Sequence, residues 1–476
     1  MTTPTTEETL DRTHIPGSDT PLATRVGRIV ALGAPLLAGN MSQYLMRIID
    51  LAMLGRLGTV TLAAASIGTM TTGVLFTLAW PNLLGAQAVT SRRFGRAASR
   101  GESAAHAGTV LGEASVVALG TAGIALVLST LVPGILRLLI SDLAVRGQAA
   151  DYVMTVRWSV LLMAVAAAHR GFLGAVHRTG VVMAATVVGN AANVFFNWVL
   201  IFGNLGFPAM GIRGAALGTV AADALAAIIL VSYARLAPAL REFALRTLAT
   251  PQRALVRTMI RVMAPPALQN SAALLVFLAF QSMVERISTE ALAVTGLMFA
   301  LFRINKTIVG GFANGAAILV GNALGADAPN AARKVVLAQQ ALAGGIAVLV
   351  LIFIVAAPGL VLALFGVEPG LHDLGYLGLR FFAPFFFVEV LGYSFEIVFT
   401  HNGWGRFVFA SEATTNLLFI LGLSALLVFG FGFGVLGAWT GFASYQLSHA
   451  LVLWAGFRSG RWLDVQLDGA AEQAHG

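Results

Sequence analysis

Residues 34–40 read Ala-Pro-Leu-Leu-Ala-Gly-Asn, and residues 264–270 read Ala-Pro-Pro-Ala-Leu-Gln-Asn, so an Ala-Pro pair with an asparagine five residues after the proline occurs twice. The displacement between the two copies is 230 residues, and further identical residues repeat at it: Met53 and Met283, Gly85 and Gly315, Gly95 and Gly325. Later in each half a displacement of 223 residues relates other pairs: Asn193 and Asn416, Gly211 and Gly434, Gly218 and Gly441. Short loop deletions account for the change. The chain is therefore predicted to contain two copies of one fold.

The composition is that of a membrane protein. Of the 476 residues 57% are hydrophobic and only 11% are charged, and the mean hydropathy is +0.82. Water-soluble domains contain about 25% charged residues. A helix needs roughly 20 apolar residues to cross a bilayer. Twelve stretches meet this need: 29–54, 60–88, 107–132, 153–175, 181–202, 213–233, 259–284, 291–320, 336–365, 376–400, 407–430 and 434–457.

The predicted fold is an all-α polytopic membrane protein with twelve transmembrane helices in two parallel six-helix repeats around a central cavity. Six crossings per repeat mean that both repeats enter the membrane from the same side, so an axis along the membrane normal relates them. We expect the following organisation: a polar cytoplasmic tail at 1–27, an N lobe at 28–236, an inter-lobe linker at 237–257, a C lobe at 258–457 and a cytoplasmic tail at 458–476.

Basic residues predict the orientation. They cluster in loops on one side of the predicted crossings: Arg92, Arg93, Arg96 and Arg100; Arg235, Arg241, Arg246, Arg253, Arg257 and Arg261; Arg333 and Lys334; Arg458 and Arg461. By the positive-inside rule this side is cytoplasmic, as are both termini of a multi-pass protein of the inner or plasma membrane. Topology thus explains the net charge of +8, and we expect no nucleic-acid partner. The first residues lack the apolar core of a signal peptide.

The residues needed for enzymatic chemistry are largely missing from the sequence. With no cysteine, the chain has no disulfide, thiolate nucleophile or Cys-based metal site. His169 and His177 are eight residues apart with no nearby carboxylate, which argues against a metal site. No Walker A motif is present to drive transport with ATP. We therefore expect neither an enzyme nor a resident cofactor.

Asp50 lies inside the first predicted crossing, where an ionisable side chain costs about 2.5–3.5 kcal/mol and calls for a reason. One reading pairs it with Arg47, three residues earlier on the same helical face. The other buries it beside the amides of the fifth crossing, where Asn193 and Asn197 are four residues apart and so share a face with each other. Asn190 lies near them. Such a carboxylate can bind Na⁺ through oxygen ligands or take up a proton, and either ion could drive transport.

The C lobe carries its own buried charges. Arg303 and Lys306 lie near the middle of the eighth crossing, and Glu389 and Glu396 lie seven residues apart on the tenth. Charge balance predicts that one of the two cations pairs with one of the two acids. That pair is either purely structural or a switch that a proton or a cationic substrate opens. Tyr393 belongs to a set of tenth-crossing aromatics, some of which we expect to line an apolar cavity.

Asp223 in the sixth crossing corresponds to Gln446 in the second repeat. It belongs either to the N-lobe polar cluster or to the wall of a cytoplasmic cavity, and the sequence leaves both open.

Several segments together carry a family resemblance. They are Pro35 followed by Asp50, the run Met53-Leu54-Gly55-Arg56-Leu57-Gly58, the segment Gly-Asn-Ala-Ala-Asn-Val-Phe-Phe-Asn-Trp at 189–198, and Gly-Ala-Ala-Ile-Leu-Val-Gly-Asn-Ala-Leu-Gly at 315–325. In this order they resemble the multidrug and toxic compound extrusion (MATE) family, in the NorM- or DinF-like part of the MOP flippase superfamily. The resemblance covers about 28–457.

The resemblance implies a transporter with two six-helix lobes in a V shape that expels organic cations in exchange for H⁺ or Na⁺ by alternating access. We expect a hydrophobic or cationic small-molecule substrate and a functional monomer. The resemblance also implies that Asp50, Asn193 and Asn197 form the ion site, with Na⁺ the only metal expected there. Some members carry a glutamate in the seventh helix, where this chain has Gln269, Asn270 and Ser271. Two alternatives remain: a flippase of the same superfamily, which needs a more cationic central cavity, and a major facilitator transporter.

Overall fold

The computed structural model describes residues 19–245, 248–250 and 252–467, and every regular element in them is helical, which confirms the predicted all-α class. Predictions about Arg246, most of the N-terminal tail and the end of the C-terminal tail fall outside these residues. The α-helices are α1 (Leu22–Gly55), α2 (Thr59–Phe76), α3 (Asn82–Arg100), α4 (Ala105–Ser129), α5 (Val132–Leu139), α6 (Leu143–Val156), α7 (Ser159–Ala175), α8 (Thr179–Phe202), α9 (Gly211–Leu236), α10 (Arg253–Glu285), α11 (Thr289–Gly325), α12 (Pro329–Ala356), α13 (Pro358–Leu364), α14 (His372–His401), α15 (Gly405–Thr415) and α16 (Gly434–Ser459).

Ten of the described helical segments are long and apolar enough to cross a membrane, or eleven if α6 and α7, which meet at a 43° bend, form one span. Two π-helical segments, Asn416–Leu423 and Leu426–Gly430, extend α15 into one of these spans. The predicted twelfth crossing corresponds to α16, which is 26 residues long but is not among them. The chain is a multi-pass membrane protein, and the count of twelve is not exactly confirmed.

Prolines interrupt two predicted crossings. The stretch 60–88 was expected to form one helix, but α2 ends at Phe76 and α3 begins directly after Pro81. Pro358 likewise separates α13 from α12 within the stretch 336–365. Proline has no backbone N–H to donate and disfavours helical geometry in the residue before it. These two stretches are therefore broken helices, and predicting each as one helix was wrong.

The internal repeat reappears as reciprocal contacts between the lobes. Helices α3 and α11 approach so closely that a Cβ atom on Gly95 would overlap the backbone of Asn322, and one on Gly325 would overlap the backbone of Arg92. Residues 92 and 322, like 95 and 325, are separated by the repeat displacement of 230 residues. Each of the two contacts is therefore converted into the other when the first repeat is placed on the second.

A second pair of contacts obeys the same relation. Gly85 of α3 faces Met259 and Met263 of α10. In the other half, Gly315 of α11 faces Ile29 and Gly33 of α1. Two such reciprocal contacts are what two parallel repeats related by a pseudo-two-fold axis require.

Candidate functional site

A chain of hydrogen bonds links three helices of the N lobe. Asn197 of α8 donates from Nδ2 to Oδ1 of Asp50 on α1 at 2.8 Å, and to Oδ1 of Asn193 at 3.1 Å. Asn193 in turn donates from Nδ2 to the hydroxyl of Thr219 on α9 at 3.3 Å. Asp50 is partly buried, and the two asparagines are 1% exposed. The structure thus brings together the three residues that the sequence singled out.

Local geometry explains why this chain forms. A spacing of four residues places Asn193 and Asn197 on one face of α8. The facing residue of α9 is Gly218, where a Cβ atom would overlap Oδ1 of Asn197. That oxygen is buried and has no hydrogen-bond partner among the described residues. The amide nitrogen of Asn197 therefore faces Asp50, whereas its oxygen, a ligand type that hard cations accept, faces Gly218.

The remaining N-lobe candidates lie around this chain. Asn190 does not bond to Asp50, because its amide donates to the hydroxyl of Ser42 at 2.9 Å. Asp223 interacts electrostatically with Arg170 of α7. Arg47 also acts electrostatically on Asp50, but no ion pair within 4 Å joins these two described residues.

Tyr152 of α6 is an N-lobe residue that the sequence analysis missed. Its ring packs against Gly68 of α2, and it interacts electrostatically with both Asp50 and Asp223. It lies just before the predicted fourth crossing, and nothing in the sequence pattern indicated that α6 would bring it to the acids.

The C lobe holds an ion pair between a half-buried lysine and a buried glutamate. Nζ of Lys306 on α11 lies 3.3 Å from Oε1 of Glu389 on α14, whose side chain is 2% exposed. Gln446 donates to the same oxygen at 3.2 Å, and Lys306 also lies 5.2 Å from the centre of the Tyr393 ring. Of the pairings that charge balance allowed, the structure forms Lys306 with Glu389. Arg303 is exposed and lines a neighbouring cavity.

Glu396 is held by different partners. Gln269 of α10 donates to its Oε1 at 2.7 Å, and Nε2 of His449 lies 4.0 Å from its Oε2. Glu412 of α15 interacts electrostatically with both Glu396 and Lys306. Neither His449 nor Glu412 was predicted from the sequence, although both lie inside predicted crossings. The rule that singled out Asp50 applies equally to them.

Two cavities accompany these clusters. One, of about 230 Å³, lies within the C lobe and is lined by Phe280, Phe302, Phe442, Arg303, Glu389 and Glu412 among others. Lys306 also lines it, so two cations balance the two carboxylates, and the aromatic rings offer a surface that suits a hydrophobic cation. The other, of about 510 Å³, has walls from both lobes and corresponds to the predicted central cavity.

The two histidines weighed as metal ligands have other contacts. Nδ1 of His169 lies 2.9 Å from the carbonyl of Val165, and Nε2 of His177 lies 2.6 Å from the amide of Asn322. Within the described residues, no three His, Asp or Glu side chains form a group that could hold a metal ion.

A family model described as MatE matches residues 35–199 and 265–425, which together exceed half of the chain. The chain is 32% identical over 216 residues to the probable multidrug resistance protein NorM of Geobacillus kaustophilus, covering 44% of this chain and 46% of that protein. It is 26% identical over 464 residues to the probable multidrug resistance protein NorM of Rhizobium meliloti, covering 93% of this chain and 95% of that protein. The first of these alignments spans about half of the relative's length.

Solved structures show the same fold. A multidrug resistance MATE family transporter of the MOP superfamily, in an outward-facing conformation, superimposes with a TM-score of 0.82. The match covers 98% of this chain and 100% of that one at 19% sequence identity.

Proposed function

The chain belongs to the MatE family, which is a family of transporters and not of enzymes, and from this membership we propose that it is a secondary active multidrug efflux antiporter. It exports small organic molecules in exchange for H⁺ or Na⁺. The family match sets aside the major facilitator alternative. The observation that carries the proposal is the hydrogen-bonded chain from Asp50 through Asn197 to Asn193.

This series of hydrogen bonds can couple ion binding to movement of the lobes. Asp50 lies on α1, and the same helix contacts the C lobe where a Cβ atom on Gly33 would come within 2.8 Å of the Gly311 carbonyl oxygen of α11. A cation that binds at Asp50 changes the charge and hydrogen bonding that hold α1 to α8. It thereby shifts the balance between the two arrangements of the lobes, as alternating access requires.

The proposed substrates are hydrophobic or cationic, and the aromatic C-lobe cavity with Glu389 and Glu412 provides a place for a positive group. A transported cation near Lys306 would compete with the lysine for Glu389. It would thereby open the ion pair, as the switch hypothesis requires. We further propose that the transporter works as a monomer in the inner or plasma membrane, with both termini cytoplasmic.

The test is ethidium efflux from proteoliposomes under an imposed pH gradient and, separately, a Na⁺ gradient. One gradient should drive efflux by the native chain, and the Asp50→Asn variant should lose that response, because an amide neither takes up a proton nor carries the negative charge that attracts Na⁺. Asp151→Asn is the matched control, since Asp151 pairs with Arg213 at an exposed site 3.0 Å apart. Gradient-driven efflux that persists in Asp50→Asn rules out Asp50 as the coupling site.

A further inference from the structure

The cavity between the lobes has the position and size of a transport site. Its walls include residues of α1, α7 and α8 from the N lobe and of α10, α11 and α14 from the C lobe. Its volume of about 510 Å³ is within the range of cavities that hold drug-sized molecules. A molecule there contacts both moving parts at once.

The charges on the walls of this cavity are positive. Its charged side chains are Arg47 of α1 and Arg170 of α7, and no carboxylate is found among the described residues that line it. An adjoining cavity of about 180 Å³ shares Arg47 and adds Lys306. The aromatic cavity in the C lobe differs, because it is lined by charges of both signs, Arg303 and Lys306 with Glu389 and Glu412.

The acids nearest to these arginines do not line the cavity. Asp50 acts on Arg47 from a distance, while its Oδ1 accepts the hydrogen bond from Asn197. Asp223 acts on Arg170, yet the Nε atom of Arg170 is buried without a hydrogen-bond partner among the described residues. An atom this deeply buried does not face the cavity, so an anion in the cavity would be attracted by the charge of the guanidinium group, for which an anionic oxygen is the best partner.

The other lining groups suit the rest of an amphipathic molecule. Gln43, Asn270 and Asn314 carry side-chain amides that can donate further hydrogen bonds to an anion. Phe76 and Trp80 provide apolar surface beside them. The site therefore combines donors for an acidic group with walls for an apolar body.

The geometry points to an acidic group, a carboxylate or a phosphate on an apolar body, as a feature that this cavity recognises in its ligand through Arg47 and Arg170. That the ligand is then transported rests on the proposed export function. The acidic group can belong to a soluble compound or to a lipid head group.

The test compares two fluorescent ligands that differ only in charge, dansylglycine and dansylglycinamide, by energy transfer from tryptophan in the purified chain. The native chain should bind the acid at least about tenfold more tightly, as expected for a charge-assisted hydrogen bond. Arg170→Gln and Arg47→Gln should each reduce this preference, whereas Arg170→Lys should keep much of it. Arg137→Gln, an exposed site on α5, is the matched control and should leave the preference unchanged.

Equal affinities for the two ligands in the native chain, or an unaltered preference in both glutamine variants, overturn the inference. Competition identifies the source of the acid: displacement of dansylglycine by dodecyl phosphate alone indicates a lipid, and displacement by benzoate alone indicates a soluble acid. Displacement by both supports the shared chemistry, and displacement by neither refutes it. Failure of ethidium efflux under both gradients contradicts the proposed function instead, because the binding preference is measured without transport.

Discussion

At the residue scale, Asn197 is the side chain that holds Asp50 in place. Replacing it with alanine removes a partly buried hydrogen bond to a charged group, which contributes about 1.5–3 kcal/mol. We expect gradient-driven ethidium efflux by Asn197→Ala to fall by about tenfold or more. Asn204→Ala is the control, because Asn204 donates to the Trp198 carbonyl at an exposed position. Equal efflux rates for the two variants contradict a role for Asn197 in holding Asp50.

The ion pair between Lys306 and Glu389 makes a second prediction at this scale. Removing either partner leaves a poorly compensated charge, so the double variant Lys306→Gln/Glu389→Gln should lose less stability than the sum of the losses in the two single variants. The coupling should be about 0.5–3 kcal/mol, measured as unfolding free energies in detergent.

Ethidium efflux by Glu389→Gln and Glu396→Gln, normalised to expression, then separates a switch from a structural pair. Unchanged efflux in both variants leaves only the structural role.

The residues of the candidate site differ in how far the sequence revealed them. Asp50 and Asn197 could be found because an acid inside an apolar stretch and amides four residues apart are local patterns. Glu412 and His449 are equally visible as polar residues within predicted crossings and were overlooked. Arg170 also lies within a predicted crossing, at 153–175, and was overlooked, whereas Tyr152 could not be found in this way, because its position depends on how α6 packs against other helices.

At the scale of elements, the crossing of α3 with α11 depends on two glycines. A Cβ atom on Gly95 or Gly325 would overlap backbone atoms of the facing helix, which cannot move aside as a side chain can. We expect Gly95→Ala and Gly325→Ala to destabilise the protein by similar amounts, about 1–3 kcal/mol each. Thermal unfolding in detergent measures the effect. Gly120→Ala is the control, since nothing lies within 4 Å of a Cβ there, and it should be neutral or slightly stabilising.

The helices themselves were easier to predict than their breaks. Apolar length alone located the spans, and the repeat predicted that the halves are related. The breaks at Pro81 and Pro358 could have been predicted from the prolines themselves, but a count of consecutive apolar residues does not take prolines into account. The bend between α6 and α7 has no proline or glycine at the junction Arg157-Trp158, so only packing determines it.

At the scale of the whole molecule, alternating access requires the lobes to separate where they now touch. Arg100 at the end of α3 and Asp327 beyond α11 form an ion pair of 3.7 Å across the two lobes. Because the chain has no cysteine, cysteines placed at these two positions are the only thiols available to a short bifunctional methanethiosulfonate reagent. Cross-linking this pair should stop ethidium efflux, and reduction should restore it.

The pair Asp151 and Arg213 provides the matched control for this experiment. These residues lie 3.0 Å apart, but both belong to the N lobe, which moves as one unit if the lobes rock. Cross-linked cysteines at 151 and 213 should therefore leave efflux unchanged, although the chemistry and the spacing are similar. Inhibition by both cross-links indicates that transport needs motion within a lobe. Inhibition by neither shows that the lobes need not part at Arg100 and Asp327, which contradicts rocking about this contact.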